Sequence, residues 1–352
     1  MKPGDDGCRL SLYHVCAGPI RRPQSSATVN NVIEETNLDC ARRLRAFIAD
    51  SPDVAYFIGS GLSQATYPDW RSLVTRVSNY FHDHAPDVPA VPTPGGEELG
   101  MMLPRDLQDV FQRFRESDAH AYVDCIKSIF ETPPTLHNGC VIKILKTQPT
   151  LISTINFDVA IEAAAEECGV EIDPRFFPTI RYVRQERENV PVVMHLHSKF
   201  HEQLYDDPDR LILHTAGYRR WYEEGDEVIK HTLSEIFLGH DVVFVGTSLS
   251  EPEMESFFRA LQVHRRTSNN RRRRIALVGS KAKPDPENVD TFVRVLREEQ
   301  SRDITDGGET GIERVRFFSK GENFPGLHQI LSDAFGQKTV APEPKPIWKD
   351  AI

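Results

Sequence analysis

Seven short apolar runs, each of strand length and each broken off by small or polar residues, set the limits on this chain. They are Val54–Ile58, Thr150–Thr154, Val192–Leu196, Leu211–His214, Val242–Val245, Ile275–Val278 and Val315–Phe318. Continuous apolar runs of this length suit strands buried on both faces. Between most of them the apolar residues fall at helical spacing. Leu38, Ala41, Leu44, Phe47 and Ile48 precede the first run, and Trp70, Leu73, Val74 and Val77 follow Asp69, which reads as a helix N-cap. Further helical patterns cover about 107–130, 137–145, 159–168, 218–238, 252–263, 289–299 and 327–335. Strands alternating with helices imply an α/β fold, a mostly parallel sheet with helices on both faces.

Of the 352 residues 39% are hydrophobic and 27% charged, a balance that allows a sizeable buried core. The net charge of -10 argues against a nucleic-acid coat protein. No apolar run approaches the roughly 18 residues of a membrane span, and the first residues lack the apolar stretch of a signal peptide. The six cysteines (8, 16, 40, 125, 140 and 168) contain no C-x-x-C pair, against both a zinc ribbon and a disulfide framework. A cytoplasmic, reduced protein is expected. Residues 1–30 read as a flexible N-terminal arm, 31–338 as the folded domain with a helical insert at about 85–147, and 339–352 as a Pro-rich tail.

Several segments carry the residue types of a ligand site. Gly59-Ser60-Gly61-Leu62-Ser63 follows the first strand, where two glycines let the backbone turn sharply and approach a phosphate. Asp69 and Arg71 open the next helix, and the Arg71 fork suits phosphate or ribose. Asn156 and Asp158 stand two apart at the end of the second strand; capping of the next helix accounts for one of them but not both. His195 and His197 end another strand. A metal pair with His201 lacks a convincing further ligand, and a single base titrating near neutrality is the simpler reading, beside a histidine satisfied by backbone groups. Gly246, Thr247 and Ser248 follow the strand ending at Val245. The run Arg271–Arg274 reads as a solvated loop or partner contact rather than a nucleic-acid site, since no aromatics are interleaved.

Taken in order, these segments resemble the sirtuin-like superfamily, in its bacterial sirtuin-like branch. The glycine turn 59–63 is similar to the family's Gly-Ala-Gly-hydrophobic-Ser, Pro68–Arg71 to its Pro-x-Trp-Arg, and Thr154–Asp158 to its Thr-x-Asn-hydrophobic-Asp. His197-Ser198 falls where the family has His-Gly, Arg210–Tyr218 resembles its segment ending in Tyr, and Phe244–Met254 resembles its Phe-x-Gly-x-Ser segment. The resemblance runs from about residue 40 to 335 and implies a Rossmann-like sheet without the zinc ribbon of the deacylating members. It implies NAD as substrate, no zinc, and hydrolysis of the nicotinamide–ribose bond. Asn156 would position water and ribose, His197 would be the general base, and Asp158 would shape the nicotinamide pocket. Gly59, Ser60 and Gly61, with Ser63, Asp69 and Arg71 nearby, would hold the pyrophosphate; Gly246, Thr247 and Ser248 would contact the adenosine side. Members of that branch deplete NAD in anti-phage, abortive-infection defence, often as homo-oligomers with a HerA-type ATPase or an Argonaute. Deacylation, ADP-ribosyl transfer and non-catalytic NAD or ADP-ribose sensing are the competing readings.

Overall fold

A computed structural model of the chain describes residues 28–51, 53–63, 66–84, 102, 104–131, 139–177, 190–223, 228–247, 249, 257–259, 261–262, 272–319 and 325–335. Among these residues seven strands form one sheet, every pair parallel: β1 (Val54–Ile58), β2 (Leu151–Thr154), β3 (Asp173–Arg175), β4 (Val192–His195), β5 (Asp241–Val245), β6 (Arg274–Gly279) and β7 (Glu313–Phe317). Their order is β3-β4-β2-β1-β5-β6-β7. β1 is central: after it the chain builds the sheet on one side through β2, β3 and β4, then returns to add β5, β6 and β7 on the other. The sheet is therefore Rossmann-like, and its connectivity changes direction between β1 and β5. In open α/β sheets the crevice at the carboxyl ends of such strands is where ligands bind.

The strands alternate side chains between two helical layers. Tyr56 and Ile58 of β1, with Val243 and Val245 of β5, face α1 (Val29–Ala49), α5 (Gly139–Leu145), α6 (Ala160–Cys168) and α11 (Pro325–Phe335). Ala55 and Phe57, with Val242 and Phe244, face α9 (Val228–Gly239), where Phe57, Phe237, Phe244 and Phe258 form an aromatic cluster. A third cluster joins α2 (Trp70–His84), α3 (Pro104–Ser117) and α4 (Ala119–Phe130) to Phe157, Phe200, Leu204, Leu211 and Leu213. It covers the carboxyl-end side of β2 and β4, so α2–α4 wall the region where the candidate residues lie.

Among the described residues the remaining α-helices are α7 (Gln203–Asp206), α8 (Thr215–Tyr218) and α10 (Val289–Thr310). Three sequence expectations change. Leu211–His214 is not a strand: the three apolar residues are fully buried as a turn between the insert and the sheet, and Ile212 N–H donates to the His197 carbonyl. The pattern over 218–238 is broken: α8 runs into a π-helical turn, Arg219–Glu223, before α9 begins. α10 runs on to Thr310 rather than ending at Glu299, although residues 300–310 are polar apart from Ile304 and include two glycines. Glu299, Asp303 and Asp306 recur at i, i+4 and i+7 and face β7. Arg316 pairs there with Asp303 (2.6 Å) and Glu299 (3.6 Å), and Arg314 pairs with Asp306. Electrostatic packing holds this turn of helix where apolar periodicity is missing.

The arginine run is also part of the fold where it is described. Arg273 ties α1 to β5 through the Phe47 carbonyl (2.9 Å), Ser51 (2.8 Å) and Asp241 (3.6 Å). Arg274 is buried and donates to the Phe237 carbonyl at 2.8 Å. These two side chains are structural rather than a solvated loop; Arg271 lies outside the described residues. The N-terminal arm before Thr28 and the tail likewise lie outside them.

Candidate functional site

The glycine turn after β1 is locked against the turn after β5. Gly59 N–H donates to the Val245 carbonyl at 2.9 Å, and Gly61 N–H to the Gly246 carbonyl at 2.7 Å. A Cβ on Gly59 would stand 2.6 Å from the Gly246 carbonyl oxygen, and one on Gly61 2.7 Å from it. Gly246 in turn adopts φ +71, in the left-handed region. The glycines are thus explained first by the close approach of two backbones at the sheet's switch point. In this conformation the amides of Gly59 and Gly61 serve that contact. Gly61→Ala is expected to force the turns apart, costing about 1–3 kcal/mol; denaturant unfolding checks it, and an unchanged midpoint would contradict it.

Ser63, at the end of this turn, is the hub of the neighbouring cluster. Asn156 Nδ2 donates to Ser63 Oγ at 3.1 Å, and Ser63 also hydrogen-bonds the Asp158 carboxyl. Asp158 accepts from Ala160 N–H at 3.0 Å and so caps α6. Asn156 caps nothing; its amide faces the glycine turn. Burial raises the Asp158 carboxyl above its ordinary value, against the hydrogen bonds from Ser63 and the Ala160 amide. Asn156 Oδ1 is buried and has no partner among the described residues. A buried acceptor left without a donor is costly unless something else supplies one.

His195 is satisfied within the protein. Its Nδ1 lies 3.0 Å from the Asn156 carbonyl oxygen and its Nε2 3.0 Å from Glu162 Oε1, which also accepts from Lys199 Nζ at 2.8 Å. Burial alone would raise the Glu162 carboxyl, but His195 and Lys199 outweigh it and bring it from 4.5 down to about 2. His197 is different. It is buried in an aromatic box of Phe157, Tyr218 and Tyr222, and its Nε2 lies 2.9 Å from Tyr222 Oη. Burial pushes its pKa from 6.5 down to about 3, so the ring is neutral at physiological pH.

This has a consequence for acid stability. Between pH 6.5 and about 3 the unfolded chain takes up a proton that the folded His197 refuses, so stability is full above 6.5 and is lost as pH falls. Glu162 adds a second loss only below 4.5, where the unfolded carboxyl begins to protonate. His197→Gln is therefore expected to flatten the fall in melting temperature between pH 6.5 and 4.5. An identical slope in the variant would show that His197 is not held neutral.

Ser198, where the resemblance has Gly, adopts φ +72 and donates through Oγ to the Arg210 carbonyl at 2.6 Å. The hydrogen bond compensates a backbone conformation costing about 1–2 kcal/mol for a residue with a Cβ. Ser198→Ala keeps the strain and loses the bond, so about 1–2 kcal/mol of destabilisation is expected. Ser198→Gly loses the bond and the strain together and is expected to be near neutral. Thermal unfolding ranks the two; the reverse order would contradict the argument.

The other anticipated residues are placed as follows. Ser60 is exposed on the turn, Asp69 caps α2 by accepting from Ser72 N–H at 2.8 Å, and Arg71 is exposed on the first turn of α2. Thr247 Oγ1 accepts from Leu249 N–H at 3.2 Å, and Ser248 lies outside the described residues. Ser63, Asn156, Asp158 and His195 thus form one connected cluster. Gly59, Gly61 and Gly246 form a second at the switch point, joined to it through Ser63. His197 is tied to the first through Phe157. Sequence reading missed Glu162, Lys199 and Tyr222; the signals were Glu162 four residues after Asp158 and Tyr222 four after Tyr218.

A family comparison bears on this arrangement. Residues 150–301 match the SIR2-like domain. The matched segment spans less than half of the 352 residues. It carries Asn156, Asp158, His197 and the β5 turn, while the glycine turn and Arg71 lie before it. The match supports a sirtuin-like relationship. A solved structure described as the structural basis for the mechanism and regulation of Sir2 enzymes aligns over 84% of this chain and 98% of its own, at 12% identity and TM-score 0.37. A likeness that weak carries no weight here, and the architecture rests on the strands themselves. No curated protein matches the chain. Among the described residues no group of three or more His, Cys, Asp or Glu side chains is placed to hold a metal, and no helix is long and apolar enough to cross a membrane.

Proposed function

We propose that the chain is an NAD glycohydrolase, releasing nicotinamide and ADP-ribose. The observation that carries the reading is Asn156 Oδ1, a buried acceptor without a partner among the described residues, at the carboxyl end of β2 beside the β1–β5 crevice. In this reading NAD lies across that crevice and Asn156 Oδ1 receives a hydrogen bond from water or from the nicotinamide ribose. The carbon–nitrogen bond breaks with its electron pair passing to the pyridinium nitrogen, so nicotinamide departs neutral. No general acid is needed, unlike the two-carboxylate glycosidases. Water adds to the ribose carbon and gives up one proton. In this reading His197, neutral in the folded chain, relays that proton onward, directly or through a ribose hydroxyl, without retaining it. Asp158, bonded to Ser63 and the Ala160 amide, shapes the wall beside Asn156.

The product tests the reading. NMR of NAD incubated with the protein is expected to show nicotinamide and ADP-ribose accumulating in equal amounts. Nicotinamide formed only when an acyl-peptide or a protein acceptor is added would favour deacylation or ADP-ribosyl transfer instead.

One observation favours a second reading, NAD or ADP-ribose sensing without turnover. The amides of Gly59 and Gly61 are occupied by the β5 turn, and a pyrophosphate would have to displace it to reach them. That movement would suit a signal. For the cellular setting we propose a cytoplasmic homo-oligomer that depletes NAD in anti-phage, abortive-infection defence, alongside a protein such as a HerA-type ATPase or an Argonaute. Co-purification with the product of a neighbouring gene, and loss of phage resistance in the Asn156→Ala strain, test it.

A further inference from the structure

We infer that Tyr222 is a positioning residue for His197, holding its Nε2 so that Nδ1 is the nitrogen left to take a proton. This rests on the reading of His197 as the base and deepens it. Tyr222 Oη lies 2.9 Å from His197 Nε2, and both residues are buried. A base must keep a lone pair for its substrate. With Nε2 spent on Tyr222, that lone pair is on Nδ1, so Nε2 carries the hydrogen and donates it to Tyr222 Oη.

The surroundings make Tyr222 a fixed partner. It stacks on Tyr218 (centroids 5.8 Å apart, 16° between planes), and His197 stands edge-on to both rings. Tyr222 is carried on the π-helical turn Arg219–Glu223. The extra residue of a π turn rotates the side chains that follow, and such turns occur often at functional sites. This one is anchored by the two residues that precede Tyr222. Trp221 Nε1 donates to the Asp209 carbonyl at 3.0 Å, and Arg220 pairs with Asp207 at 2.7 Å. The same stretch, 207–212, is bound to the His197 loop, through Ser198 Oγ to the Arg210 carbonyl and Ile212 N–H to the His197 carbonyl. The loop bearing the base and the turn bearing its partner are therefore held to one strut.

Tyr222→Phe removes the hydroxyl and keeps the stacked ring, and Tyr218→Phe is the control at the neighbouring ring that His197 meets edge-on. Two readouts separate this inference from the function it rests on. Nitrogen-15 NMR of histidine-labelled protein, with His197 assigned by a His197→Gln variant, is expected to show a neutral ring with the hydrogen on Nε2. Tyr222→Phe is expected to yield a tautomer mixture, while Tyr218→Phe leaves the parent signal. The parent with its hydrogen on Nδ1, or a Tyr222→Phe signal equal to the parent's, would overturn the inference whether or not NAD is hydrolysed. On the turnover readout, Tyr222→Phe is expected to lower kcat about ten- to a hundredfold with KM within about twofold, the mark of lost orientation rather than lost binding. An equal or raised kcat would overturn it as well. A parent that releases no nicotinamide would sink the hydrolase reading and leave the tautomer result to decide the role of Tyr222.

Discussion

An Asn156→Ala chain is expected to fold, to bind NAD, and to release nicotinamide at least about a hundredfold more slowly than the parent, the scale seen when one preorganised polar group is removed from a reacting centre. The fold is expected to survive because the side chain makes one internal bond, to Ser63, and that bond is worth about 1 kcal/mol. Its Oδ1 makes none among the described residues, so removing it costs the folded protein little or even relieves it. The loss therefore falls on the ligand-bound state. Asn156→Asp is the sharper control. It keeps an acceptor but loses the donor to Ser63 and puts a second carboxyl beside Asp158, whose own carboxyl is already raised by burial. Both variants are expected to be inactive, and Asn156→Asp is expected to be the less stable. Parent-like turnover in Asn156→Ala would remove Asn156 from the site.

The largest effect on stability is expected far from that crevice, at Arg316. Its guanidinium faces the Asp303 carboxylate at 2.6 and 2.7 Å and Glu299 at 3.6 Å, and both carboxylates are about 5% exposed. Arg316→Ala leaves two buried negative charges without their cation. Breaking one side of a buried ion pair costs about 3–5 kcal/mol, although the intact pair itself contributes much less. Ser280 Oγ and Lys281 N–H still bond Glu299, so Asp303 is the more exposed to the loss. Adding Asp303→Asn to Arg316→Ala is expected to recover part of it, with a coupling energy read from the double-mutant cycle. Denaturant unfolding measures this. A loss below about 1 kcal/mol in Arg316→Ala would mean the network is hydrated and that something else holds the last turns of α10.

The sheet was legible because both of its signals were local. Runs such as Val242–Val245 are buried on both faces, and Gly59 and Gly246 mark where the backbone must turn or come close. The same local rule misread Leu211–His214. Apolar character fixes that these residues are buried, but pairing depends on what lies beside them, and here that is the insert rather than a free strand edge. β3 was missed for the opposite reason: Asp173-Pro174-Arg175 has no apolar signal and pairs only because β4 offers an edge. The extension of α10 past Glu299 is held by charges whose partners stand on another element, so no helical period announced it. At the site, the order of motifs brought Asn156, Asp158 and the glycine turns into view, and Ser63 proved to be what connects them. Tyr222 and Glu162 carried only a helical spacing to Tyr218 and Asp158, because each acts through a histidine distant in sequence.

The reading of this site turns on whether NAD is consumed or only held. The direct measurement is nicotinamide release by the purified full chain at saturating NAD, with NAD binding measured calorimetrically on the same sample. Steady release is expected that continues over many turnovers and vanishes in Asn156→Ala while binding remains. NAD bound tightly and recovered intact from the parent would contradict it, and would make the crevice between β1 and β5 a sensor.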